Sequence, residues 1–193
     1  MRRALLIAAI LTSVLLVAAL GWWRADSSRA PAGPAGGDFT LVSADGPVSL
    51  ADFRGKVVLL YFGYASCPDV CPTALAQTAQ GLAMLSPEER ARVRVVFVSV
   101  DPERDTPAKL KRYTAHFAPD MIGVSGSAAA LADVAARYGA AYRKTAVQSA
   151  VGYVVDHTAF TSVIAPDGRL VEQLPHGTSP AQIAQAIRHR LRG

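Results

Sequence analysis

At 193 residues the chain has room for one domain and one targeting segment. Its net charge of +5 shrinks when partitioned, because residues 1–29 hold four of the 20 Lys/Arg and one of the 15 acids, leaving the rest close to neutral. That balance excludes a nucleic-acid partner, which would need a basic face; the one local cluster, "RHRLRG" at residues 188–193, reads as a solvated helix end complementing the macrodipole.

Behind Met1, Arg2 and Arg3, residues 4–23 ("ALLIAAILTSVLLVAALGWW") run without a charge for the length of a bilayer core. A secretory signal peptide would carry an apolar stretch of only about 7–15 residues, and Trp22 and Trp23 close this run as an interfacial belt would. The reading is an uncleaved transmembrane anchor. The positive-inside rule places residues 1–3 in the cytoplasm and the domain outside, in the periplasm of a bacterial cell, where disulfides persist. Residues 24–37, rich in Pro, Gly, Ala and Ser, read as a flexible tether, and residues 38–193 as the folded domain.

The domain opens on two short β-prone runs around Asp45-Gly46, a hairpin signal. "KVVLLYF", residues 56–62, has the continuous apolar character of a central strand. A helix is expected over residues 73–85 with Leu75, Ala79 and Leu82 on one face. A second buried strand, "VRVVFVSV", passes through "DPERDTP" into a helix with Leu110, Tyr113 and Phe117 as its apolar stripe. A short strand at 121–124, a helix over 128–138, a hairpin turning at Pro166-Asp167-Gly168 and a helix over 180–191 complete the chain. The order is β-α-β joined to β-β-α: a thioredoxin-like α/β fold with an N-terminal β-hairpin extension, preceded by one transmembrane helix.

In that layout Cys67 lies in the loop leaving a central strand and Cys71 near the start of the next helix, where free N–H groups and the helix dipole favour thiolate. Pro72 fits the first turn. Cysteines four apart on a helix have Cβ atoms about 5–6 Å apart, wider than the roughly 3.5–4.5 Å of a disulfide. Chelation tolerates the wider spacing, but the loop at Cys67 leaves a disulfide open.

Of the four histidines, His116 reads as a surface residue, His176 as a loop residue and His189 as part of the basic terminus. His157, in "VVDHTAF" at the entrance to the closing hairpin, faces the cysteine loop in such a fold and is a candidate third ligand; a structural histidine is the alternative. Two thiolates and an imidazole suit Cu(I) or zinc, and Cu(II) with a further oxygen ligand. Asp69 between the cysteines, Asp101 at the end of the second buried strand and Asp156 beside His157 are candidates for tuning the site from behind the ligands. Each has a plain structural reading: solvation for Asp69 and Asp156, capping of the next turn for Asp101.

The segments "YFGYASCPDVCP", "SVDPERDTP" and "DHTAF" together closely resemble the Sco/SenC family, membrane-anchored thioredoxin-fold copper chaperones of cytochrome c oxidase assembly. The resemblance implies that Cys67, Cys71 and His157 bind copper, with Asp101 nearby. It implies delivery to the dinuclear copper site of an oxidase subunit, with a periplasmic copper donor or thiol reductant upstream. The enzymatic alternative is a thiol–disulfide oxidoreductase in which Cys67 and Cys71 are redox-active and keep the oxidase cysteines reduced.

Overall fold

Seven consecutive buried residues make β3 (Val57–Gly63), and the same continuous burial runs through all but one residue of β4 (Val93–Ser99). Strands covered on both faces lose the polar alternation of a half-exposed sheet, which is why these runs are apolar throughout. The computed structural model describes residues 15–16, 34–148 and 152–192. In it β3 and β4 sit in a five-stranded sheet of order β5-β4-β3-β8-β9. Here β5 is Ile122–Val124, β8 Phe160–Ile164 and β9 Leu170–Pro175. β3, β4 and β5 are parallel, while β8 runs antiparallel to β3 and to β9.

Among the described residues of the folded domain, five α-helices accompany these strands: α1 (Val70–Ala83), α2 (Pro87–Ala91), α3 (Pro107–Ala115), α4 (Ala128–Arg137) and α5 (Pro180–Arg192). α1 packs on α5, and α3 on β5. The α1–α5 approach is close: a Cβ on Gly81 would lie 3.0 Å from both Ile183 Cγ2 and the Pro180 carbonyl oxygen. This is the expected thioredoxin-like order. The extension in front is a hairpin of β1 (Thr40–Ser43) and β2 (Gly46–Ser49), whose register leaves Ala44-Asp45 as the two-residue turn. The β8–β9 turn falls at the expected place, with Gly168 N–H donating to the Ala165 carbonyl at 2.8 Å.

Three departures from the sequence reading matter for the site. α1 begins at Val70, three positions before the expected start, so its buried stripe is Cys71, Ala74, Leu75, Thr78, Gly81 and Leu82, and Ala79 falls off the face. The short α2 was not expected, although Ser86 and Glu89 form a reciprocal capping box with Pro87 at its start. Most consequentially, β6 (Tyr142–Ala146) and β7 (Tyr153–His157) form an antiparallel hairpin outside the main sheet, and His157 closes it.

The expected anchor at 4–23 lies outside the described residues except for Leu15 and Leu16, which are helical. No helix among the described residues is long and apolar enough to cross a membrane. Residues 34–193 form the compact unit that contains the sheet. Its leading segment, assigned in sequence to the tether, is held: Gly36 N–H donates to the Arg137 carbonyl at 2.9 Å and Tyr138 Oη to the Gly37 carbonyl at 2.9 Å.

Candidate metal centre

β3 ends at Gly63, and the chain turns through residues 64–69 into α1. Cys71 therefore lies in the first turn of α1, directly over the end of β3. Only glycine fits at 63: a Cβ there would stand 2.7 Å from Cys71 Sγ and 3.0 Å from the Phe97 ring. Cys71 is fully buried and Cys67, in the loop, is 9% exposed, so the pair is approached from the Cys67 side.

A buried carboxylate fastens the loop from below. Asp105 accepts from the Ala65 N–H at 2.8 Å, from Ser99 Oγ at 2.8 Å and from Lys109 Nζ at 2.8 Å, and Lys109 also donates to Ser66 Oγ. Sequence reasoning weighed the first aspartate of "DPERDTP" and passed over this second one. The signal was present in the motif, but the contact with the loop spans 40 positions and only the fold makes it.

His157 arrives from the other side, on the β6–β7 hairpin. Its Nε2 lies 3.2 Å from Cys71 Sγ, and its Nδ1 lies 3.1 Å from the Thr158 carbonyl oxygen. A carbonyl only accepts, so Nδ1 carries a proton, and Nε2 is the ring nitrogen that faces the sulfurs. The rings of Tyr61 and Tyr64 meet the imidazole edge-on at 6.1 and 5.9 Å and fix its plane. One ligand atom each from Cys67, Cys71 and His157 lie within 4.8 Å of one another, and this is the one such His/Cys/carboxylate cluster among the described residues.

The two cysteines are unbridged and share a proton unequally. The Cys67 sulfur is held far below the ordinary thiol range, first by the hydrogen bond it accepts from Cys71, then by His157 and by the N–H groups of Asp69 and Cys71, all against the cost of burial. Cys71 is pushed far up, first because it donates to Cys67 and next because it is buried. The pair is thus a thiolate and a thiol side by side at the N-terminal turn of a helix. Two sulfurs and an imidazole nitrogen, one sulfur already ionised, form a donor set for a soft metal ion. The same pair is equally a low-pKa nucleophile with a resolving partner.

The carboxylates expected near the site divide. Asp101 is fully buried and spent on neighbours: its carboxylate pairs with Arg104 and accepts from Tyr153 Oη at 2.7 Å. Arg104 in turn donates to the Tyr153 carbonyl at 2.9 Å and lies over the Tyr153 ring at 3.7 Å. Asp101 therefore ties the hairpin that carries His157 to the loop after β4. Asp69 is exposed, near Thr73 Oγ1 at 3.4 Å. Asp156 is exposed and accepts from Thr145 Oγ1 at 2.6 Å, on the hairpin surface. His116, His176 and His189 are exposed and stand apart from the cluster.

A family model described as SCO1/SenC matches residues 27–192. The mitochondrial SCO2 homolog of Bos taurus is 38% identical over 157 residues, which is 80% of this chain and 59% of that protein, so the chain spans less than two thirds of that relative. Among solved structures, apo Sco1 of Thermus thermophilus is 40% identical with a TM-score of 0.73, over 81% of this chain and 91% of that one. ScoI of Bradyrhizobium japonicum with copper bound is 36% identical with a TM-score of 0.73, over 81% and 99% of the two chains.

Proposed function

The chain belongs to the SCO1/SenC family, and on that footing we propose that it is a copper metallochaperone of cytochrome c oxidase assembly. Cys67, Cys71 and His157 hold copper as cargo, for delivery to the dinuclear copper site of an oxidase subunit. The observation that carries the reading is the convergence of three soft-metal ligand atoms within 4.8 Å, with imidazole Nε2 facing Cys71 Sγ at 3.2 Å. The similarity to a bacterial ScoI with copper bound supports it.

In this account the protein's own groups prepare an acceptor for the ion. Cys67 already offers a thiolate and Cys71 releases its proton to solvent on binding. His157 presents Nε2 to the ion, while its Nδ1 stays hydrogen-bonded to the Thr158 carbonyl. Burial of Cys71 and partial exposure of Cys67 order the exchange: an incoming thiolate of the recipient reaches the metal from the Cys67 side, and Cys71 leaves last. The chain is anchored in the inner membrane by residues 4–23, with its N-terminus inside and the domain in the periplasm.

Mixing the copper-loaded full chain with the reduced oxidase copper-site subunit tests delivery. The expected result is stoichiometric transfer of copper to that subunit. Retention of copper by this protein at equilibrium would contradict it.

A second reading has its own observation, the low-pKa Cys67 in contact with Cys71. In a thiol–disulfide oxidoreductase the Cys67 thiolate would attack an oxidase disulfide and Cys71 would resolve the mixed disulfide, leaving this pair oxidised and in need of a dithiol reductant. His157 is dispensable to that chemistry and required by chelation, so its replacement separates the two.

A further inference from the structure

The basic C-terminal end serves no step of copper handling. Here the last turn of α5 and the β8–β9 turn enclose a cavity of about 520 Å³, lined by apolar Ala165, Pro166 and Val171 and by cationic Arg169, Arg190 and Arg192. Two of the arginines are matched locally, Arg169 to Asp167 at 2.6 Å and Arg190 to Glu172 at 3.3 Å. The matching is incomplete. Arg190 Nε is buried with no hydrogen-bond partner, and exposed Arg192 forms no ion pair among the described residues. The macrodipole explains basic residues at a helix end, but not a cavity among them.

This cavity lies at the opposite pole from the metal centre. Gly55 N–H donates to the Pro166 carbonyl at 2.9 Å, so the β8–β9 turn sits beside the start of β3, whereas the cysteine loop leaves its end. At about 3.3 Å per residue, β3 separates the two by about 20 Å. The poles also differ in charge. Around the metal centre Arg143 is paired with Asp156, Lys144 with Glu103 and Lys109 with Asp105. At the cavity pole Lys56 and Arg92 join Arg192 as cations with no ion pair among the described residues; Lys56 precedes Val57, whose N–H donates to the Arg92 carbonyl at 3.0 Å. The chain enters the domain at this same pole. Gly36 lies against Leu170, the residue between Arg169 and Val171, so closely that a Cβ would stand 2.8 Å from the Leu170 Cβ. Residues 24–33 separate that entry from the expected anchor, and ten residues reach at most about 35 Å.

We propose that the cavity binds the phosphate of an anionic phospholipid in the membrane that holds the anchor. The inference goes beyond copper handling and rests on the membrane-anchored reading. Guanidinium groups take phosphate oxygens two at a time, and the apolar lining suits the glycerol carbons of a headgroup. Docked there, the domain turns its metal centre away from the bilayer and leaves the Cys67 side open to a recipient.

The test places the full chain in nanodiscs of phosphatidylcholine, alone or mixed with phosphatidylglycerol, and follows amide exchange. On the anionic discs residues 165–171 and 188–192 should exchange severalfold more slowly, with the cysteine loop unchanged, and the slowing should fade at high salt. Arg169→Glu combined with Arg192→Glu should abolish it while exchange in β3 and Cu(I) affinity stay at wild-type values. Equal exchange on the two kinds of disc would overturn the site, as would slowing that survives the double charge reversal. Inorganic phosphate added to the neutral discs should leave both segments unprotected. Protection by phosphate with none from phosphatidylglycerol would overturn the lipid in favour of a soluble ligand. An alkaline carbonate wash of phosphatidylcholine vesicles checks the anchor separately: release of the chain would overturn that reading and this inference with it, whereas retention with equal exchange would overturn the site alone.

Discussion

At the scale of single residues, the site depends on Gly63 as much as on its ligands. Gly63 sits at the end of a buried strand because any Cβ would press into the Cys71 sulfur at 2.7 Å and the Phe97 ring at 3.0 Å. Gly63→Ala should therefore destabilise the domain by about 1–3 kcal/mol, as overpacking in a filled core does. Because the sulfur is the atom displaced, copper affinity should fall as well. Chemical denaturation and chelator competition measure the two effects, and an alanine variant with wild-type affinity would mean that the sulfur has room to move. Little of this was legible in the sequence. Cys67, Cys71 and His157 carry chemistry in their side-chain types, so motif and spacing point to them. Gly63, Tyr61 and Asp105 act through contacts that exist only after folding, and nothing in their types separates them from ordinary core or loop residues.

At the scale of elements, the third ligand rides on a hairpin outside the main sheet. β7 pairs only with β6 among the described strands, and besides the packing of Tyr61 and Tyr64 on His157 it is tied to the rest of the site through Tyr153, Arg104 and Asp101. Removing the Tyr153 hydroxyl leaves a fully buried carboxylate with one donor fewer, a loss of about 1.5–3 kcal/mol for a hydrogen bond to a charged group. Tyr153→Phe should speed amide exchange across Tyr142–Ala146 and Tyr153–His157 while leaving exchange in β3 unchanged. Copper affinity should fall in parallel, because His157 is then held less often in place; unchanged hairpin exchange would refute the tie. This hairpin was invisible in sequence for a physical reason. β6 reads Tyr-Arg-Lys-Thr-Ala with three exposed positions, so it has no apolar run and too little buried face to reveal its period. β3 and β4 were legible because burial on both faces demands unbroken apolar residues. α2 carried its capping box in plain sight and was missed because five residues are too few for a helical period to show.

At the scale of the whole molecule, element order made the architecture legible. The alternation of strands and helices, then a hairpin and a last helix, led to the five-stranded sheet, and the sheet placed the cysteine loop at the carboxyl ends of its parallel strands, where α/β folds gather ligands. What order alone left open was whether the cysteines bind metal or pair with each other, since that turns on distances of a few ångströms between segments 86 positions apart. The structure brings His157 Nε2 to 3.2 Å from Cys71 Sγ. The most direct test is an anaerobic Cu(I) titration of the reduced full chain against a competing chelator, beside Cys67→Ala, Cys71→Ala and His157→Ala. The account predicts one tight equivalent in wild type, weakened by each of the three changes. Binding that is indifferent to His157→Ala would contradict it and leave the cysteine pair to thiol–disulfide exchange.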